Sequence, residues 1–273
     1  MILFVVLAVC VLSAGVIFLY PRWRRRRLLA TPFPAHWSAL LERRLEAFAG
    51  LAPDERQQLL DLVRLFLAEK RFHGCGGLVL TDEMRVCIAA QACLLLFNRR
   101  TALYPGLRHI LVYPAAFVRA GEEMNEDGTV SEVSKELLGE SWREGKVILS
   151  WEDVDHDLDH PDDGANVVLH EFAHQLDSES GSENGTPLLR HNDGAEWAAV
   201  MTREYKVLMA ASDAGHDTFL DPYGATAPAE FFAVLTETFF ELPEELKHYH
   251  PDLFDQLQRY YRVDPRRWYQ ALP

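Results

Sequence analysis

Two histidines four residues apart, with a glutamate between them, lie in the apolar stretch VVLHEFAHQLDSESG at 167–181. The spacing of its apolar residues predicts a buried or half-buried helix that ends before Gly181. Histidine is costly to bury without a partner, so His170 and His174 require an explanation. On an α-helix, residues i and i+4 lie about 40° apart around the axis and about 6 Å apart along it, so both imidazoles can reach one ion.

The glutamate between the two histidines points elsewhere on the same helix. Glu171 lies about 100° around the axis from His170, which keeps it out of the same coordination sphere but within reach of a water on the ion. This is the arrangement of the H-E-x-x-H metallopeptidase helix, in which two neutral imidazoles bind zinc and the glutamate is the general base. The alternative is a helix whose histidines are capped by neighbouring carbonyl groups.

A third ligand is expected, because a catalytic zinc site usually has three protein ligands and an open fourth position. The candidates lie in DPYGATAPAEFFAVLTETFFELP at 221–243. Pro228 marks the first turn of a helix, since its fixed φ suits that position. Glu230 falls in this first turn, where it also complements the helix dipole, and Glu237 lies two turns further along the same face. Spacing alone favours Glu230 only narrowly.

Two of these segments together resemble a known peptidase family. The stretch HEFAHQLD at 170–177 with YGATAPAEFFAVLTE at 223–237 is similar to the zinc peptidases of the Mlc titration factor A type. The same helix pair is distantly similar to the catalytic domain of anthrax lethal factor. The resemblance covers residues 36 to 265 roughly, and its upstream segments are those at 55–72, 107–118 and 146–154.

The resemblance implies a complete site for one zinc ion per chain. It implies that His170, His174 and Glu230 bind the ion, which settles the choice of the third ligand. It further implies that Glu171 is the general base and that Tyr223, seven residues before the last ligand, assists catalysis.

Two further acidic residues, Asp177 and Glu237, lie on the helices that carry the candidate ligands. Asp177 matches an acidic residue of the family, and a carboxylate beside a ligating imidazole fixes its tautomer. A solvated polar face is the alternative for Asp177, and the role of Glu237 stays open. The thermolysin-like pattern has an acidic residue four positions after the glutamate ligand, where this chain has Val234. Support for the ligands must therefore come from elsewhere in the chain.

The first twenty residues, MILFVVLAVCVLSAGVIFLY, carry no charge and are long enough to cross a bilayer as a helix. Five arginines follow within 22–27, whereas a cleavable signal peptide has basic residues before its apolar run and small residues at its cleavage site. By the positive-inside rule these arginines keep the rest of the chain in the cytoplasm. We therefore expect a single-pass protein of the bacterial inner membrane; a buried core helix is the alternative.

The charge of the chain excludes one class of partner. The net charge is −14, and without the five arginines there are 22 basic against 41 acidic residues. Such a surface repels nucleic acid, so we expect no nucleic-acid partner and expect membrane contact only through residues 1–20. Reduced thiols, not a disulfide framework, are expected for Cys10, Cys75, Cys87 and Cys93.

The expected fold class is α+β and mainly helical, a zincin-like metallopeptidase domain with a small sheet behind the transmembrane helix. The domains predicted are the transmembrane helix at 1–20, a basic juxtamembrane linker at 21–35, an N-terminal helical part at 36–100 and a catalytic part at 101–273. Strands are predicted at 107–113 and 146–151, and helices at 36–50, 54–71, 82–97, 194–212, 228–241 and 251–262.

One acidic segment allows two interpretations. WEDVDHDLDHPDD at 151–163 contains His156 and His160 among its carboxylates, which raises the question of a second metal site. A solvated loop that caps the following helix is the favoured interpretation.

The favoured function is a membrane-anchored, cytoplasm-facing zinc peptidase that acts on a peptide or protein. The resemblance also supports a function of another class, an anchored binding protein that captures a transcriptional repressor of the Mlc type. In this alternative the metal site is not catalytic. Structural zinc sites normally have four protein ligands, often cysteines, and the motif has no cysteine near it. An open catalytic site is therefore the better interpretation.

Overall fold

In a computed structural model of the protein, the described residues are 19–99, 102–115, 145–190 and 192–269. Most of them are helical. The helices, in chain order, are α1 Ala35–Arg44, α2 Glu46–Gly50, α3 Pro53–Glu69, α4 Asp82–Leu94, α5 Trp151–Asp159, α6 Val167–Ser178, α7 Gly194–Asp213, α8 Pro228–Glu241, α9 Pro243–Tyr249, α10 Pro251–Tyr261 and α11 Arg266–Tyr269. A 3-10 turn lies at Pro222–Ala225, and residues 19–30 are also helical.

A small parallel sheet accompanies the helices. Its strands are β1 Arg71–Gly74, β2 His109–Tyr113 and β3 Lys146–Ser150, and they lie side by side in that order. Ile110 and Val112 of β2 are fully buried, and the residues that alternate with them are half-buried, so one face of the sheet packs on the core. The expectation of a mainly helical chain with a small sheet is confirmed.

The strongly apolar helix α4 joins the two halves of the chain. Thr81 caps its start by accepting a hydrogen bond from the backbone N–H of Met84. Its sides pack against α3 and against α6, so the segments predicted as the N-terminal part and the catalytic part share one hydrophobic core. Cys87 and Cys93 are buried on α4 without forming a disulfide, as predicted.

The segment predicted as a solvated loop at 151–163 is mostly helical, so that prediction is wrong in part. Helix α5 occupies Trp151–Asp159, and the rings of His156 and His160 stack with centroids 4.3 Å apart. The predicted capping role is confirmed, because the Asp157 carboxylate accepts a hydrogen bond of 2.7 Å from the backbone N–H of Val167, the first residue of α6.

The predicted transmembrane helix at 1–20 lies outside the described residues except for its last two positions. Within the described ranges, no helix is both long enough and apolar enough to cross a bilayer. The four-residue strand β1 and the short helix α9 were not predicted, whereas the predicted bounds of α7, α8 and α10 agree with the structure to within one residue.

Candidate metal centre

Three side chains from α6 and α8 converge on one point. The Nε2 atoms of His170 and His174 are 3.2 Å apart, and Oε2 of Glu230 lies 3.1 Å from the first and 3.3 Å from the second. In the part of the chain that the structure describes, this is the one group of three histidine, cysteine or acidic side chains close enough to share an ion. His156 and His160 belong to no such group.

The contact between His170 and Glu237 turns the other ring nitrogen of His170 toward the cluster. The Nδ1 of His170 lies 2.6 Å from Oε1 of Glu237, a carboxylate that can only accept, so Nδ1 carries the hydrogen. Nε2 faces Nε2 of His174 and the Glu230 carboxylate, so its lone pair is available to a metal that displaces the proton from this nitrogen. Donor atoms around a tetrahedral ion at about 2.0–2.1 Å lie about 3.3–3.4 Å apart, so the observed separations fit a zinc-sized metal.

The electrostatics of the cluster favour positive charge at its centre. Burial alone disfavours a charged His170, but hydrogen bonds with Glu230 and Glu237 outweigh burial and raise the pKa of His170 to about 10. Burial likewise works against an ionised Glu230, yet its hydrogen bonds with His170 and His174 hold the pKa of Glu230 well below its usual range. Surroundings that hold a proton this firmly also hold a metal cation, which competes for the same lone pairs.

Glu237 is itself held in place by the start of α6. Its Oε2 accepts a 2.6 Å hydrogen bond from the backbone N–H of Asn166, the residue that caps α6. The Asn166 side chain donates to Oε1 of Glu241 at 2.9 Å and to Oε1 of Gln91 at 2.7 Å. Burial raises the pKa of Glu241 to about 9, so Glu241 is neutral at pH 7 while Glu237 faces the imidazole. Position 234, where the thermolysin-like pattern has an acidic residue, is valine in this chain. Glu237, one turn later on α8, provides a carboxylate that contacts His170 instead.

Glu171 lies on α6 beside the convergence point but outside the group of three donors. Its side chain is buried, with 8% of its surface exposed. Its charge contributes to the raised pKa values of both His170 and Tyr223. Glu171 therefore belongs to the same buried electrostatic environment as the donor cluster.

Tyr223 is presented to the site by the 3-10 turn. The Asp221 carboxylate caps the turn by accepting a 2.8 Å hydrogen bond from the backbone N–H of Tyr223. The Tyr205 hydroxyl of α7 donates to the carbonyl of Ala225 at 3.0 Å, which anchors the other end of the turn. The turn also packs on α8, so Tyr223 is fixed relative to the helix that carries Glu230.

The Tyr223 side chain reaches the donor cluster from its solvent side. Its ring centroid lies 6.0 Å from that of His170, and its hydroxyl hydrogen-bonds to Glu230. Burial of the hydroxyl and the charges of Glu230 and Glu171 raise the pKa of Tyr223, so the phenol keeps its proton. With 43% of its surface exposed, Tyr223 is a hydrogen-bond donor at the mouth of the site.

Comparison with known proteins assigns this chain to a family. The family model described as glucose-regulated metallo-peptidase M90 matches residues 20–262. The chain belongs to this family. An uncharacterized protein of Synechocystis is 46% identical over 252 residues, with 90% of this chain and 91% of the relative covered. Proteins named Mlc titration factor A are 35% identical in Pectobacterium atrosepticum, covering 84% and 86% of the two chains, and 31% in Yersinia pestis, covering 87% and 89%. The resemblance noted from the sequence is confirmed.

In this M90 chain Asp177 has a positioning role. The side chain is fully buried, and its Oδ2 accepts a 2.7 Å hydrogen bond from the backbone N–H of Gly185. Gly185 has φ +74°, and a Cβ there would lie 2.2 Å from the carbonyl oxygen of Pro228. Asp177 thus ties the loop after α6 against the first residue of α8, two positions before Glu230. The carboxylate that hydrogen-bonds to a ligating imidazole is Glu237, which contacts His170.

Glu237→Gln is predicted to weaken metal binding about 10–100-fold, the usual effect of losing the partner of a ligating imidazole. The amide keeps the size of the side chain but removes the charge opposite Nδ1 of His170. Competition with a chromophoric chelator measures the metal affinity. Glu241→Gln is the matched control, because it replaces a neutral buried carboxyl on the same helix that bonds Asn166. Equal losses in both variants would show a general packing effect and would contradict the role given to Glu237.

Proposed function

We propose that this M90 protein is a zinc-dependent peptidase with a zincin-like catalytic site. His170, His174 and Glu230 hold the ion, Glu171 is the general base and Tyr223 stabilises the reacting carbonyl. The observation that carries the proposal is the convergence of three electron-rich donor atoms within 3.1–3.3 Å of one another on two packed helices. Membership of a metallo-peptidase family supports the reaction class.

The mechanism divides the work among the residues around the convergence point. Zinc, when bound, acts as a Lewis acid that makes a water nucleophilic at neutral pH. Glu171 takes the proton from the attacking water and then delivers it to the leaving amine. Its burial favours this role, because a poorly solvated carboxylate is a better proton acceptor than one in water.

Tyr223 acts on the other side of the scissile bond. Its protonated hydroxyl donates to the carbonyl oxygen of the substrate as negative charge develops there. Its hydrogen bond with the proposed ligand Glu230 supports this role, because it keeps the hydroxyl at the metal site. Glu237 keeps the Nε2 lone pair of His170 directed at the same centre. The site is thus organised before a substrate arrives.

Removal and return of the metal test the proposal directly. The purified protein is expected to cleave members of a mixed peptide panel, to lose that activity after treatment with a chelator, and to regain it when one equivalent of zinc is added back. Mass spectrometry of the products shows whether single N-terminal residues or internal fragments are released. A protein that holds zinc and cleaves no peptide of the panel would contradict the peptidase proposal.

A second proposal is that the chain binds a transcriptional repressor of the Mlc type. It is supported by relatives that carry the name Mlc titration factor A and match most of this chain. Binding and cleavage are separable, because a Glu171→Gln variant keeps the surface of the protein. Titration of a purified Mlc-type repressor with wild type and with this variant measures binding alone. Absence of binding by both proteins would rule out the repressor proposal and leave the peptidase proposal intact.

We also propose that residues 1–20 anchor the protein in the inner membrane with the remaining chain in the cytoplasm. The proposal rests on the uncharged apolar run and the five arginines that follow it. A reporter enzyme that is active only in the cytoplasm should therefore be active when fused to the C-terminus, and the protein should fractionate with membranes. Activity of a periplasmic reporter at the same position would reverse the topology. Loss of residues 1–20 from the mature protein would contradict the anchor.

A further inference from the structure

A second pocket lies away from the metal centre, between the loop that follows α6 and helices α7 and α10. Its volume is about 160 Å³, and it contains none of the residues assigned to the metal site. A single water needs only about 10–15 Å³ by the same measure, so the pocket admits a small polyatomic ligand. The charged residues of its wall are four arginines and one acid, Arg99, Arg190, Arg259, Arg262 and Asp193.

The positive charge of this wall is only partly neutralised. Arg259 is paired with Glu196 through two hydrogen bonds of 2.7 Å. The side chains of Arg190 and Arg262 are exposed and form no ion pair with any residue of the described part of the chain. Asp193 is the one acid among the described residues of the wall, and Arg99 also interacts electrostatically with Glu179, which does not line the pocket, so the wall keeps a net positive charge. The wall is therefore a local excess of positive charge in a chain whose net charge is −14.

The pocket also has a rigid donor surface. The guanidinium of Arg99 lies over the Tyr260 ring, 4.3 Å from its centroid, and donates to the Tyr260 hydroxyl at 2.6 Å. This contact fixes the plane of the guanidinium and uses one of its five N–H groups. Trp197 forms part of the same wall and is 2% exposed, and its indole N–H meets no acceptor among the described residues. A preorganised arginine costs little entropy when it binds a ligand.

We propose that this pocket binds a small anion that carries a phosphate or a carboxylate group. Guanidinium groups match both groups in geometry, since each presents two oxygens to the parallel N–H donors of an arginine. A local cluster of positive charge in an acidic protein also raises the concentration of anions at that one place. Arg99 provides the fixed donor, and Arg190 and Arg262 close on the anion from the rim.

Isothermal titration of the full chain tests the pocket with inorganic phosphate in one arm and succinate in the other. Both are titrated at constant ionic strength with chloride, because screening by salt weakens any exposed charge. The test variant is Arg190→Gln/Arg262→Gln. The matched control is Arg43→Gln/Arg267→Gln, which removes two exposed arginines that are not part of the pocket.

The expected result is saturable binding of one anion per chain, unchanged in the control. Binding should be about tenfold weaker or more for the test variant, since each lost arginine removes a charge-assisted hydrogen bond. The arm that saturates identifies the group as phosphate or carboxylate. The proposal is overturned if neither anion binds saturably or if the test variant binds as tightly as wild type. It is also overturned if binding disappears only when the metal is removed, which would place the anion at the metal centre.

Discussion

Replacing Glu171 with glutamine is expected to reduce peptide cleavage at least about a hundredfold and to leave the metal in place. General acid–base groups typically contribute about 10²–10⁴-fold to rate, and the amide can neither take the proton of the water nor deliver it to the leaving amine. Glu171 lies outside the group of three donors, so its replacement should not change the metal content. Initial rates on one cleaved peptide, with zinc measured in each preparation, give the comparison.

The control for this variant is Glu179→Gln, a carboxylate at the C-terminal end of the same helix that has no part in the site. It should cleave the peptide at the rate of the wild type. If Glu171→Gln retains zinc and matches the wild-type rate as well, the general-base assignment is wrong.

Tyr223→Phe provides a second comparison with a smaller expected effect. Loss of one oxyanion donor costs about 3–4 kcal/mol at most. Tyr223 is 43% exposed, so a water molecule can replace part of what the hydroxyl provides. The phenylalanine variant should therefore lose less activity than Glu171→Gln and should bind metal as the wild type does.

What the sequence predicted about the site follows from geometry within single helices. The i, i+4 spacing of His170 and His174 and the i+7 spacing of Glu230 and Glu237 are helical relations, so periodicity alone was enough to place each pair on one face. The contacts between the pairs depend on how α6 packs against α8, which no spacing within either helix determines. For this reason the sequence left the role of Glu237 open, although Val234 at the position of the usual acid indicated that support for the ligands comes from elsewhere.

The elements that were missed are short or polar. Strand β1, RFHG, has only four residues and no clear alternation of apolar and polar side chains. Neither the two-residue period of a strand nor the 3.6-residue period of a helix could therefore detect it. Helix α5 has only three apolar residues, Trp151, Val154 and Leu158, and its other residues are acidic or histidine. Its hydrophobic periodicity is therefore weak. Its start did carry a signal, because Ser150 is a favoured N-cap residue and acidic residues follow it in the first turn. Capping residues would have identified the helix where hydrophobic periodicity did not.

Loss of the metal is the expected result of the double replacement His170→Ala/His174→Ala. The structure places two of the three converging donor atoms on these side chains, and Glu230 alone leaves a single carboxylate that binds zinc weakly in water. Elemental analysis of the purified protein should find close to one zinc per chain in the wild type and little in the variant.

A second histidine pair provides the control for the metal experiment. His73 and His109 lie on adjacent strands with ring nitrogens 2.9 Å apart, but no acidic or cysteine side chain of the described residues joins them to make a group of three. His73→Ala/His109→Ala should therefore keep the zinc of the wild type, since two imidazoles without a third donor do not form a catalytic site. Stoichiometric zinc retained by His170→Ala/His174→Ala and lost from His73→Ala/His109→Ala would move the metal centre to the sheet and remove the basis of the proposed mechanism.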